Sequence, residues 1–153
     1  MPDGQSLVEV VADCLADGRV VRETLLVDVV PSGGFRLARS PLVAQGLAVG
    51  DEFVVEPVDK TFRVLRRARN IGVQLFMRPR LAREVFGLLA ARVRAMGGDF
   101  DAHSDSIAGF WIPVDVGFPE VEGLFGDFVS AHPESDWMFV NVYDQSGKPL
   151  NWW

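Results

Sequence analysis

Cysteine occurs once in this chain, as Cys14, and that scarcity removes two options at the outset. No internal disulfide can form, and a cysteine-based metal site is excluded. The two histidines, His103 and His132, offer no evident catalytic pair. No apolar run approaches the ~20 residues needed to span a bilayer. The opening Met1-Pro2-Asp3-Gly4-Gln5 has neither the basic nor the apolar region of a signal peptide. Together these absences point to a reducing interior, and the expected location is the cytoplasm. Nucleophile elbows, phosphate-binding glycine loops and zinc-type histidine pairs are missing too. The expectation is a protein with no catalytic residues, no cofactor and no metal. An enzyme assembled from scattered carboxylates stays as an alternative.

One sign of charge is scarce in each part of the chain. Residues 60–94 hold ten Lys/Arg against Glu84 alone, a net of +9. Residues 95–153 hold ten Asp/Glu against Lys148 alone, a net of −9, and residues 1–59 carry −6. The overall charge of −6 thus conceals a basic middle between acidic flanks, which suits a charged partner. The 153 residues, with eleven Phe and four Trp, are ample for a buried core.

The first half reads as short strands divided by turn residues. Ser6–Leu15 and Val20–Val30 flank a hairpin turn at Asp17-Gly18. Phe35–Arg39, Glu52–Glu56 and Thr61–Ala68 follow, with Leu42–Gly46 read as a single helical turn. This pattern predicts a small antiparallel barrel or curled sheet over residues 1–69. From residue 70 the period changes. A strand at Val73–Met77 precedes a helix that starts at Pro79, with Leu81, Val85, Leu88, Leu89, Arg92 and Met96 at helical spacing and Gly97-Gly98 as its stop. Strands at Asp99–His103 and Ile107–Asp115, a helix from Pro119 to His132-Pro133 and a strand at Trp137–Tyr143 complete a β-α-β-β-α-β order over residues 70–153. That is the ferredoxin-like arrangement, and the fold class is α+β.

The stretch FRLARSPLVAQGLAVGDEF, from Phe35 to Phe53, resembles the signature of an uncharacterised bacterial family with a small β half followed by an α/β half. Ile112-Pro113-Val114 before the last helix agrees with that resemblance. It implies the same two-part fold and leaves function open.

Several constellations invite a chemical reading. Asp99, Asp101, His103 and Asp105 alternate, which on a regular strand places all four on one face, as metal ligands or as a grip on a basic partner. A solvated edge strand explains them equally well, and one strand seldom supplies a coordination sphere. Gly97-Gly98-Asp99-Phe100 resembles the centre of a nucleotide-cyclase signature with its acidic-Phe pairing broken; a helix stop accounts for it. Arg63, Arg66, Arg67, Arg69, Arg78, Arg80 and Arg83 either track a phosphate backbone, pair with the chain's own carboxylates or simply solvate a strand. Phe76, Trp111, Trp137, Phe139 and Tyr143 are expected on the sheet face away from the helices, either as a platform for bases or buried against the first half. Trp152 and Trp153 are expected to tuck back onto the protein.

Three functions compete: a non-catalytic binder of a basic protein, an RNA-binding or ribonuclease-regulating module, and an enzyme with an unrecognised site. The first accounts for acidic flanks and missing chemistry together. In general character such a chain resembles the immunity proteins of contact-dependent growth inhibition systems, which implies a toxin as partner, a nuclease domain being one such toxin. The expected partner-binding residues are Asp99, Asp101, Asp105, Glu120, Glu122, Asp127, Glu134 and Asp136. No membrane partner is expected, and nucleic acid is disfavoured by the acidic second half.

Overall fold

The computed structural model describes residues 4–77 and 83–153. Strands β1 (Gln5–Cys14), β2 (Val20–Val29), β3 (Phe35–Leu37), β4 (Glu52–Val55) and β5 (Phe62–Arg66) form an antiparallel meander in chain order. The Val11 amide donates to the Lys60 carbonyl at 2.9 Å, which brings the approach to β5 back to β1 and curls the sheet. Alternation buries Val10, Leu25, Val27, Leu37 and Phe53 on its inner side, with Phe35 and Phe62 against Phe53.

The second sheet holds β6 (Asn70–Met77), β7 (Asp99–His103), β8 (Ile107–Pro113) and β9 (Ser135–Phe139), with α1 (Arg83–Ala95) and α2 (Phe118–Ala131) on one face. Its order is β7-β8-β6-β9 with antiparallel neighbours. The first strand of the unit lies between the third and the fourth, the ferredoxin-like topology the sequence predicts. The expected helix start at Pro79, with Leu81, falls outside the described residues, as do Arg78 and Arg80. The tight packing of β7 on β8 depends on Gly98, where an added Cβ would lie 2.0 Å from the Trp111 carbonyl oxygen.

Five local expectations are corrected. The buried stripe of α1 is Leu89, Ala90 and Val93, flanked by Phe86 and Met96. Leu88 is 71% exposed and Arg92 faces outward. Ile107–Asp115 ends as a strand at Pro113, and Val114–Val116 form a 3-10 turn. Residues 42–46 are not a helical turn. The Glu23 carboxylate accepts from the amides of Leu42, Val43 and Ala44 at 2.7, 3.1 and 2.8 Å, so these amides serve a side chain instead of a helix. Finally, Trp137 and Phe139 face the helices. Their register opposite Leu75 and Val73 puts them on the core side, where Trp137 packs on Phe125 and Phe139 on Phe118. The strand also stops earlier than expected. The Asn141 side chain accepts from the Gly72 amide and donates to the Asn70 carbonyl, occupying groups a longer β9 would pair with.

The opposite sheet face is covered by residues 40–50. Gln45 Nε2 donates to Gln74 Oε1 at 2.9 Å, Gly46 N to Val140 O at 2.7 Å, and Asn70 Nδ2 to Val49 O at 2.9 Å. Leu47 belongs to the first core, while the next residue, Ala48, lies against Gly72 of β6. Trp152 folds back, donating from Nε1 to Asn141 O at 2.6 Å, and Trp153 meets Phe118 edge-on.

Candidate functional surface

The eight carboxylates expected to bind a partner do not share one face. Asp99, Asp101 and Asp105 belong to β7 and the turn after it, at one edge of the second sheet, whereas Glu134 and Asp136 mark the start of β9 at the other edge. Glu120, Glu122 and Asp127 are exposed on α2. Glu120 and Asp127, seven residues apart, share a stripe of that helix; Glu122 lies about 140° around from Asp127.

The β7 residues also lose their common side. A bulge between Phe100 and Ala102 shifts the register, so His103 pairs with the core residue Ala108 and lies tilted against Phe100 with ring centroids 5.7 Å apart. Asp101 turns the other way, into the junction between the halves. Its Oδ2 accepts from the Ser40 amide at 3.0 Å, while Oδ1 and the Ser40 hydroxyl oxygen are buried without a partner among the described residues. Burial pushes the Asp101 carboxyl above the ordinary range, Ser40 opposing and the nearby Asp99 charge adding to the rise. Asp99 itself binds Arg94 at 2.8 Å. Asp105 is exposed in the turn. Among the described residues no group of three His, Cys, Asp or Glu side chains is placed to hold a metal ion.

Internal pairing uses other carboxylates. Arg19 binds Asp17, Arg22 binds Glu9, and Arg36 binds Glu52, at 2.6, 3.0 and 2.9 Å. Arg67 reaches the fully buried Asp51 at 3.1 Å and the Gly46 carbonyl at 2.6 Å. Burial raises the Asp51 carboxyl, opposed by the amides of Ala68 and Ala48 and by Arg67. Glu120, Glu122, Asp127, Glu134 and Asp136 form no ion pair with any described residue. Glu120 has a structural use in the first turn of α2, where a negative charge complements the helix dipole. Asp127 in α2 and Glu134 and Asp136 at the start of β9 stand on either side of the turn from α2 into β9, where His132 stacks on Phe128 with centroids 4.4 Å apart; Asp127 lines the groove between the helices with Leu88 and Arg92.

A cleft of about 720 Å³ opens beside this corner, between β5 and β9, the end strands of the two sheets. Phe62, Val64, Met138, Tyr143 and Leu150 line it, with Arg67 and Asp144. Nothing local in the sequence marks it, because its walls come from segments some 75 residues apart.

The sequence profile described as Domain of unknown function (DUF4265) matches residues 23–131. The chain belongs to that family. The matched span includes Phe35–Phe53, the stretch that carried the resemblance. Among solved structures, the chain is similar to a protein from Neisseria gonorrhoeae described as "Novel crystal structure of a hypothetical protein", with a TM-score of 0.69 and 16% identity over 89% of this chain and 94% of that one. At that identity the likeness concerns the fold. No curated protein matches the chain.

Proposed function

We propose that this member of the DUF4265 family is a non-catalytic binding protein that holds a basic protein partner on the acidic corner formed by α2 and β9. The observation that carries the reading is the division of labour among carboxylates. Glu9, Asp17, Asp51, Glu52 and Asp99 are engaged by the chain's own arginines, whereas Asp127, Glu134 and Asp136 are exposed and pair with no described cation. Such a surface steers a cationic partner and accelerates encounter. The finer form of the proposal is neutralisation of a basic toxin, with these carboxylates standing where a nuclease would take substrate phosphates. Support for the RNA-binding alternative is reduced, since Trp137 and Phe139 face the helices and pack on Phe125 and Phe118 instead of lying on the opposite sheet face.

The test compares the native chain with a variant carrying Asp127→Lys, Glu134→Lys and Asp136→Lys. Each is immobilised and exposed to extract from cells that make the protein. The native chain should retain a basic protein whose association slows as salt rises, and the variant should bind it about a hundredfold more slowly while its circular dichroism is unchanged. Equal retention by both would remove the acidic corner as the functional surface.

A further inference from the structure

The cleft beside the acidic corner has an apolar floor and a negative margin. Phe62 and Val64 come from β5 and Met138 from β9, and Met138 is 40% exposed. Asp136 and Met138 are two apart on β9 and project on the same side. Asp144 also lines the cleft, and the Ser146 hydroxyl and the amides of Lys148, Ser146 and Gly147 hold its carboxyl below the ordinary range. The one cation in the lining, Arg67, is already engaged by Asp51 and the Gly46 carbonyl. An occupant therefore meets apolar surface from both sheets, with the Asp144 carboxylate in the lining and Asp136 next to that lining on β9.

Part of the main-chain edge at β9 is already engaged. Asp136 Oδ1 accepts from the Trp137 amide at 2.8 Å, and the Val140 carbonyl accepts from Gly46. Strand addition would have to displace these contacts, whereas a side chain entering from outside would not.

We propose that the cleft between β5 and β9 receives a bulky apolar side chain of a basic protein segment, with Lys or Arg residues on either side of it meeting Asp136 and Asp144. The proposal rests on the reading of the acidic corner and adds the anchor that such a surface otherwise lacks. Charge supplies speed of encounter, and an enclosed apolar contact at the centre of an interface supplies most of its lifetime.

Two fluorophore-labelled lysine heptapeptides, one with tryptophan and one with alanine at the centre, test this by fluorescence anisotropy. The tryptophan peptide should bind the full chain about tenfold or more tightly than the alanine peptide. Met138→Gln should abolish that advantage and leave the alanine peptide's affinity unchanged. Asp136→Asn combined with Asp144→Asn should weaken both peptides and flatten their salt dependence. Equal binding of the two peptides to the native chain would overturn the cleft proposal and leave the acidic corner standing. Binding of neither would overturn both. An advantage that survives Met138→Gln would place the tryptophan elsewhere. Neutral N-acetyltryptophanamide binding as tightly as the tryptophan peptide would show that the flanking charges contribute nothing and would refute a basic partner.

Discussion

Asp51 and Asp101 are both withdrawn from water and both pushed above the ordinary aspartate range by burial, but they are compensated unequally. Asp51 has two backbone amides and the Arg67 guanidinium. Asp101 has the Ser40 amide, a second oxygen without a partner and the Asp99 charge nearby. A raised folded pKa means that the folded state binds the proton more tightly. The ionised Asp101 therefore costs stability at neutral pH, and this cost fades as pH falls through the raised value toward 3.8. Asp101→Asn keeps an acceptor for Ser40 and should raise stability at pH 7 by about 1 kcal/mol, an advantage that shrinks on acidification. Asp51→Asn leaves Arg67 without its anion and should lose about 3 kcal/mol. Urea midpoints for both variants across a pH series check the pair; a neutral-pH loss for Asp101→Asn would mean its charge is needed where it lies.

The segment from Ser40 to Gly50 shows how an element without regular structure is held. One Glu23 carboxylate gathers three successive amides, a backbone nest closed by a side chain from β2. Glu23→Ala should cost about 2 kcal/mol or more, and amide exchange at Leu42, Val43 and Ala44 should quicken while β6 keeps its protection. Unchanged exchange at those three amides would count against this role. The sequence could not show this arrangement, because the carboxylate and its amides are 19 to 21 residues apart. Elements with a strong period were legible: the stripe of Val121, Leu124 and Phe125 in α2 and the alternation in β1 and β2 follow from residue spacing alone. Legibility failed where a local event interrupts the period. The bulge at Asp101 turns His103 away from the neighbouring aspartates, and Asn141 ends β9 by substituting a side chain for backbone. For α1, the expected stripe included Leu88 and Arg92 but missed Phe86 and Val93, because apolar residues surround the helix and spacing alone did not choose the face. Of the candidate surface, the carboxylates were legible and their separation onto two sheet edges was not, since strand order is a property of the whole sheet.

Across the whole molecule, the two sheets share the segment that joins them. Leu47 fills the first core and Ala48 seals the second sheet one residue later, so neither half completes its packing alone. Calorimetry should show one cooperative transition, with equal calorimetric and van't Hoff enthalpies. Two resolved transitions would refute that dependence. The same feature has a consequence in time. Gly46 leaves the ribosome before its acceptor Val140, and Ser40 before Asp101. At about 5–20 residues per second, the nascent meander waits several seconds or longer for the strand region that closes it. Throughout that interval Ala44 and Ala48, both fully enclosed in the finished protein, face the solvent. Newly made chains are therefore most vulnerable to nicking or capture by a chaperone along Ser40–Gly50, and that vulnerability ends only when synthesis has passed β9.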